Sequence, residues 1–269
     1  MSGVAAAHEA ITAATDSFAA AGCETPRLDA EVLVAAAAGV PRLALLGGAE
    51  IELEPAASRK VMEWVRRRAR REPVAYIVGR KEFRRLELEV NRSVLIPRPE
   101  TELLVEVAVE LAGPGARVHD VGTGSGAVAL ALADERPGLA VTASDRSEAA
   151  VEVAQRNARR LGLPVEIRCA SGLPEGEYDV VVANLPYVRE DEWDELAPEI
   201  REYEPRDALV AGADGLDEIR ALVAEAPAGT LLALEHAPDQ AEAVSEMLAD
   251  AETREDLSKR ARVTTGRVP

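Results

Sequence analysis

From Pro99 onward the chain repeats one pattern, a short apolar run followed by a stretch with helical periodicity. Residues 100–112 read as a helix, 116–121 as a strand, 126–136 as a helix, 139–144 as a strand, 147–161 as a helix and 165–169 as a strand. A strand at 178–183, a helix at 214–226 and a strand at 229–235 complete the series. Strands separated by helices line up parallel, and a parallel sheet must be covered on both faces. The fold class is therefore α/β with a mainly parallel sheet, and in such sheets ligands sit at the carboxyl ends of the strands. Residues just after each strand are the ones to weigh.

The first 85 residues lack this alternation. Segments 5–21, 27–38, 41–47 and 55–71 have helical patterns separated by the turn signals G-C-E-T-P, G-V-P and L-G-G-A, which predicts a small all-α domain. The chain is 47% hydrophobic but only 3% aromatic, so alanine carries much of the helix packing. Five arginines fall in W-V-R-R-R-A-R-R, Trp64 to Arg71; with Val61, Val65 and Ala69 as an apolar stripe opposite, they read as a solvated helix face that Glu72-Pro73 ends. Residues 82–96 alternate Leu86, Leu88 and Val90 with glutamates, pass Asn91-Arg92-Ser93 and resume as an apolar run, which predicts a β-hairpin linker. The expected organisation is a helical domain over 1–75, a linker and hairpin over 76–98, and a third region over 99–269.

Cys23 and Cys169 form no C-x-x-C, and His8, His119 and His236 have no ligand spacing, so neither a disulfide scaffold nor a metal site is expected. The amino terminus lacks a basic leader, and no run reaches the roughly 18 apolar residues of a membrane span. A cytoplasmic protein without a membrane partner is expected. Three lysines stand against 28 arginines, a bias of the genome rather than of function. Formal net charge is −17, and it is uneven: residues 1–85 hold 13 basic and 11 acidic side chains, residues 86–269 hold 18 and 37. A region that acidic repels phosphate backbones, so a nucleic-acid substrate is disfavoured.

At the first strand-to-helix junction stands H-D-V-G-T-G-S-G-A, His119 to Ala127. Gly122 and Gly124 let backbone approach a ligand and Gly126 lets the helix pack closely. The spacing Gly122, Gly124, Ala127 also satisfies the dinucleotide fingerprint G-x-G-x-x-A. Two acids favour S-adenosylmethionine instead. Asp120 would crowd a pyrophosphate but suits a cationic amino-acid moiety, and Asp145, ending the next strand, is placed for ribose hydroxyls. His119 reads as a packed strand residue.

The fourth strand ends in V-V-A-N-L-P-Y-V, Val181 to Val188. An amide or aromatic amine nitrogen is a poor nucleophile because its lone pair is delocalised. A site accepting hydrogen bonds from both its N–H groups favours a pyramidal nitrogen whose lone pair can face a methyl group. Asn184 supplies one acceptor through its side chain and Leu185 another through its backbone carbonyl. Pro186 fixes the turn, and Tyr187 provides a flat wall for the substrate.

This motif is similar to the asparagine-proline-proline-tyrosine signature of amino-group methyltransferases. Four further segments, in order, resemble the HemK/PrmC family of release-factor glutamine methyltransferases: P-V-A-Y-I-V-G-R-K-E-F at 73–83, V-L-I-P-R-P-E-T-E-L-L-V-E at 94–106, D-V-G-T-G-S-G-A-V-A at 120–129 and Y-E-P-R-D-A-L-V-A-G-A-D-G-L at 203–216. The resemblance implies a class I, Rossmann-like methyltransferase with a seven-stranded sheet behind a helical substrate-recognition domain. It implies methylation of the side-chain nitrogen N5 of the glutamine in the Gly-Gly-Gln motif of peptide chain release factors. On it, Asp120, Val121, Gly122, Thr123, Gly124, Asp145 and Asn184 would bind S-adenosylmethionine. Asn184, Leu185, Pro186 and Tyr187 would hold the glutamine, with Arg98, Glu100 and Thr101 bordering the site or capping the helix that starts there.

The chain departs from the family in four places. Leu185 replaces a proline, giving the N-L-P-Y of rRNA adenine dimethyltransferases. C-A-S-G-L-P-E-G, from Cys169, has no acid where the family carries one for adenine, leaving Leu173 as a packing substitute. L-E-H-A-P-D-Q at 234–240 has His236 and Ala237 for isoleucine and glycine, and D-L-S-K-R-A-R near the end lacks a glycine. Rival readings are an rRNA adenine N6-methyltransferase, a divergent cofactor-binding paralogue with another protein substrate, and a small-molecule dehydrogenase.

Overall fold

The computed structural model describes residues 5–47 and 51–269. The L-G-G-A turn therefore runs outside the described residues from Gly48 on, as does the start of the amino terminus. The chain forms two compact units, one of Met1–Gly79 with Ala197–Tyr203, the other of Arg80–Leu196 with Glu204–Pro269.

In the first unit, strand β1 (Ala5–Ala6) leads to α1 (Ala7–Ala20), α2 (Pro26–Ala38), α3 (Arg42–Leu46), strand β2 (Glu52–Leu53), α4 (Pro55–Arg68) and α5 (Val74–Val78). The unit is helical as expected, with β1 and β2 added as a short antiparallel pair. Two-residue strands carry no alternation to read. α1 buries Ala7, Ile11, Ala14 and Phe18, a spacing of three and four that keeps one face on the core shared with Ala30, Leu33 and Val34 of α2. α4 buries Val61, Trp64 and Arg68 rather than Val61, Val65 and Ala69. Arg68 corrects the reading of its arginines as one solvated face. Its Nε donates to Asp29 Oδ2 at 2.8 Å and its Nη1 to Glu199 Oε1 at 2.9 Å, while Arg71 donates to both oxygens of Glu199. A buried guanidinium persists only where acids partner it, and these lie far away in sequence. α5 runs from the expected helical domain into the start of the expected linker, over Tyr76 to Val78.

The second unit opens on a hairpin of β3 (Arg80–Phe83) and β4 (Leu86–Glu89), with Arg80 opposite Glu89 and Phe83 opposite Leu86. Its turn is Arg84-Arg85, Arg84 having φ 52°. The expected return strand after Asn91-Arg92-Ser93 does not form. Pro97 and Pro99 cannot donate to a ladder, and the segment enters a 3₁₀ turn at Pro99–Thr101 instead.

There follow α6 (Glu102–Leu111), β5 (Arg117–Val121), α7 (Ala127–Glu135), β6 (Ala140–Asp145), α8 (Glu148–Leu161), β7 (Glu166–Cys169) and β8 (Val180–Ala183). α9 (Pro198–Tyr203) belongs to the first unit, and α10 (Asp217–Glu225), β9 (Leu231–Glu235), α11 (Ala241–Glu246), β10 (Ala249–Glu255) and β11 (Ala261–Arg267) complete the second. The sheet has seven strands in the order β10-β11-β9-β8-β5-β6-β7. β5 to β9 are mutually parallel; β11 runs antiparallel to β9, and β10 to β11. Side chains alternate between faces, so Val180 and Val182 meet a core with α6, α7 and α8, whereas Val181 and Ala183 meet one with α10 and α11. His119 is buried between Thr142 and Ser144, its ring nitrogens 2.7 and 2.9 Å from their hydroxyls, and burial pushes its pKa down to about 4. It is a packed strand histidine.

Candidate active site

The sheet order reverses between β5 and β8, with β6 and β7 beyond one and β9 beyond the other. Such a switch point opens a crevice at the carboxyl edge. In register Val121 faces Ala183, so Gly122 and Asn184 leave the sheet side by side. A cleft of about 450 Å³ opens there, lined by Arg98, Thr101, Asp120 to Ser125, Asp145, Asn184, Leu185 and Pro186 among others.

The glycine loop is shaped by its contacts. Gly122 has φ 73°, and a Cβ there would lie 2.9 Å from Leu185 Cδ2. Gly126 has φ 85°, and a Cβ would strike Leu130 of α7 at 2.9 Å and Ala154 of α8 at 3.3 Å. Gly124 has no atom within 4 Å of where a side chain would start, which leaves a cradle open to a ligand. Two carboxylates hold this conformation. Asp120 Oδ2 accepts from Thr123 Oγ1 at 2.6 Å and from the Ala129 amide at 3.2 Å. Burial pushes Asp120 up to about 7, these bonds opposing it and the nearby Asp145 charge adding to it. Asp145 accepts from Gly124 N with Oδ2 and from Ser147 N with Oδ1, both at 2.9 Å. Each of its oxygens keeps a lone pair for a further donor.

Asn184 is oriented from behind. Its Nδ2 donates to Thr101 Oγ1 at 3.0 Å, and the Thr101 hydroxyl donates to Glu235 Oε1 at 3.2 Å. Because the hydroxyl proton is committed to the carboxylate, Thr101 can only accept from Asn184. The Asn184 amide thus spends a donor on the protein and keeps its oxygen for a substrate donor. Glu235 ends β9, is 1% exposed, and its Oε2 is buried without a hydrogen-bond partner among the described residues. Burial pushes it up to about 7.

The 203–216 block fixes the strand-end loop. Val188 N donates to Leu209 O at 2.8 Å and Ala211 N to Val188 O at 3.0 Å. Gln240 Nε2 donates to the carbonyls of Tyr187 and Asp214 at 2.9 and 3.0 Å. Glu204 is buried and accepts from Ile96 N at 3.0 Å and from Arg98, which joins the block to the 94–106 segment. These two blocks of the sequence brace the same loop.

Three expected site residues lie off the cleft lining. Leu173 packs against the core group that includes Leu222. The cleft at that point is lined by Ala170, Ser171 and Gly172. Tyr187 lies beside Glu235, and its hydroxyl pKa is raised by burial first and by that carboxylate second. Glu100 is also off the lining, though its charge raises both Tyr187 and Glu235. Glu235 and Gln240 received no role from the sequence. An acid closing an apolar strand, as Asp120 and Asp145 do, was the signal for Glu235.

The family model for the PrmC N-terminal domain matches residues 9–79, and that for the methyltransferase small domain matches residues 99–201. The release factor glutamine methyltransferase of Pseudomonas aeruginosa is 46% identical over 254 residues, covering 89% of this chain and 92% of its own. That of Burkholderia pseudomallei is 43% identical over 265 residues, covering 90% and 92%. Among solved structures, the T. thermophilus 16S rRNA N2 G1207 methyltransferase in complex with AdoMet and guanosine superposes with TM-score 0.51 at 18% identity, over 71% of this chain and 50% of its own. That likeness shows the fold, a class I methyltransferase. With paired domain matches along its length and relatives of this identity and coverage, the chain belongs to the release factor glutamine methyltransferase family.

Proposed function

We propose that this protein transfers a methyl group from S-adenosylmethionine to the side-chain amide nitrogen, N5, of the glutamine in the Gly-Gly-Gln motif of peptide chain release factors. The observation that carries this reading is the Asn184 amide, held by Thr101 and Glu235 so that its oxygen remains as an acceptor beside the glycine loop. The residues present fit the cofactor: the open cradle at Gly124 and the Asp145 carboxylate share one cleft. Asp120 to Gly124, Asp145 and Asn184 would hold it. When bound, it supplies an electrophilic methyl carbon on a sulfonium.

The chain's own residues act on the acceptor. Asn184 Oδ1 and the Leu185 carbonyl each accept one N–H of the glutamine amide. Both hydrogen bonds strengthen as the nitrogen pyramidalises and its positive charge grows, so they stabilise the transition state more than the ground state, and the surplus N–H proton is then lost to water. Pro186 stiffens the turn carrying these acceptors. Leu185 leaves the acceptor intact because the working atom belongs to the backbone.

The acid-rich composition after residue 85 supports a protein acceptor over RNA. Acceptor recognition is assigned to the helical unit, where Leu28, Leu43, Leu46 and Met62 are exposed. No helix among the described residues is long and apolar enough to cross a membrane. An acceptor that works on the ribosome places the activity in the cytoplasm. The test is intact mass of a folded release factor after incubation with the protein and S-adenosylmethionine. One methyl group is expected, and none when the Gly-Gly-Gln glutamine is changed to alanine. Labelling of naked rRNA with no labelling of release factors would overturn the reading in favour of the adenine alternative.

A further inference from the structure

Beyond Asp145 the cleft continues along the end of β7, where the chain supplies no acid. Ala170 N donates to the Asp145 carbonyl at 3.0 Å, so Ala170, Ser171 and Gly172 form the wall next to that residue. One face of α10 also lines the cleft, through Glu218, Ala221, Leu222 and Glu225 at helical spacing. Glu218 is committed to Arg146, whose Nη1 lies 2.7 Å from its Oε1. The Glu225 side chain has neither a hydrogen bond nor an ion pair among the described residues, and its carboxylate leans over Gly172. A Cβ on Gly172 would stand 2.9 Å from Glu225 Cδ, and this glycine has φ 67°. The space a side chain at 172 would enter is taken by a carboxylate from another element.

We propose that Glu225 accepts the hydrogen bond from the exocyclic amine of the cofactor's adenine. The assignment rests on S-adenosylmethionine occupying this cleft. Ribose carries the sulfur through C5′ and the base through C1′. With the sulfonium beside Asn184 and the hydroxyls on Asp145, the base extends towards Ala170–Gly172. Its amine is a donor and needs an acceptor there. A carboxylate serves, because it accepts and cannot donate. The same property rejects a purine with a 6-oxo group, whose lone pairs would face the charge. Glu225 thus provides from α10 both the contact and the discrimination that position 172 cannot.

Calorimetric binding of S-adenosylhomocysteine and S-inosylhomocysteine tests this without turnover. The unaltered protein should bind the adenine compound at least about tenfold more tightly. Glu225→Gln should weaken that compound by about fivefold and tighten the inosine one, since an amide N–H can donate to the 6-oxo group. Gly172→Asp should impair binding alone, where it meets Glu225, yet restore affinity in the Glu225→Ala background, because aspartate tolerates the left-handed region. Equal preference in the unaltered and Glu225→Gln proteins, with S-adenosylhomocysteine still bound by both, would overturn the role of Glu225 while leaving the cofactor site standing. No binding of S-adenosylhomocysteine by the unaltered protein would overturn both.

Discussion

Replacing Thr101 by valine should disable the acceptor geometry while sparing the cofactor. Valine keeps the shape but removes the atom that accepts from Asn184 Nδ2 at 3.0 Å and donates to Glu235 Oε1 at 3.2 Å. Each such bond is worth about 1 kcal/mol net, and the bond to a charged carboxylate about 1.5–3 kcal/mol. With both gone, nothing on that side distinguishes the two ends of the Asn184 amide, and the orientation presenting its N–H groups to the substrate becomes accessible. A loss of roughly 1.5–3 kcal/mol in transition-state stabilisation is a fall of about ten- to a hundredfold in kcat. The assay is single-turnover methylation of a folded release factor at pH 8, where Glu235 is ionised and the hydroxyl must donate to it. KM and S-adenosylmethionine affinity should stay within about twofold, and Thr101→Ser should recover most of the rate because the hydroxyl returns. Loss of kcat matched by equal loss of cofactor affinity, or no recovery with serine, would refute the relay and leave Thr101 a packing residue.

Asp145→Ala should weaken S-adenosylhomocysteine by about ten- to a hundredfold in calorimetry, since it removes paired acceptors and frees Gly124 and Ser147; Asp145→Asn should be milder. Unchanged affinity would remove Asp145 from the site. Asn184→Ala should slow transfer by about 10²–10³-fold, whereas Leu185→Pro, which keeps the carbonyl, should stay near the starting rate; equal damage from the two would defeat the backbone-acceptor reading. Asp120 and Glu235 are both pushed up to about 7 by burial, whereas unfolded carboxyls ionise near 4. Between those limits these two groups hold protons in the fold that the unfolded chain has lost, so their contribution falls as pH rises from about 4 through about 7, and His119, pushed down to about 4, opposes them in part below about 6.5. Denaturant midpoints should therefore be higher at pH 5 than at pH 8, and the difference should shrink in Asp120→Asn; Asp214, held down to about 2 by Arg220, acts only below this window.

The parallel sheet and its ligand edge were legible because short apolar runs alternate with helical stretches, and all five strands so read form in place. The edge pair β10–β11 was not, since Ala249–Glu255 is mostly exposed and carries no apolar alternation. The glycine loop and Asn184 were legible as local motifs. Glu235, Gln240 and Glu204 were harder, because their work is done across 134, 53 and 108 residues of sequence respectively. Arg68 shows the same limit: its helical neighbours suggest water, and only Asp29 and Glu199 reveal burial.

Because Glu199 completes the charge group around Arg68 and Arg71, the helical unit is not a contiguous stretch of chain. During synthesis residues 1–79 leave the ribosome first, yet their buried guanidinium lacks one of its two carboxylates until Glu199 follows, after the whole first half of the sheet. At roughly 5–20 residues per second, that delay lasts about 6–24 seconds. The helices must wait as an unfinished bundle, and an excised fragment ending at Gly79 would remain in that state.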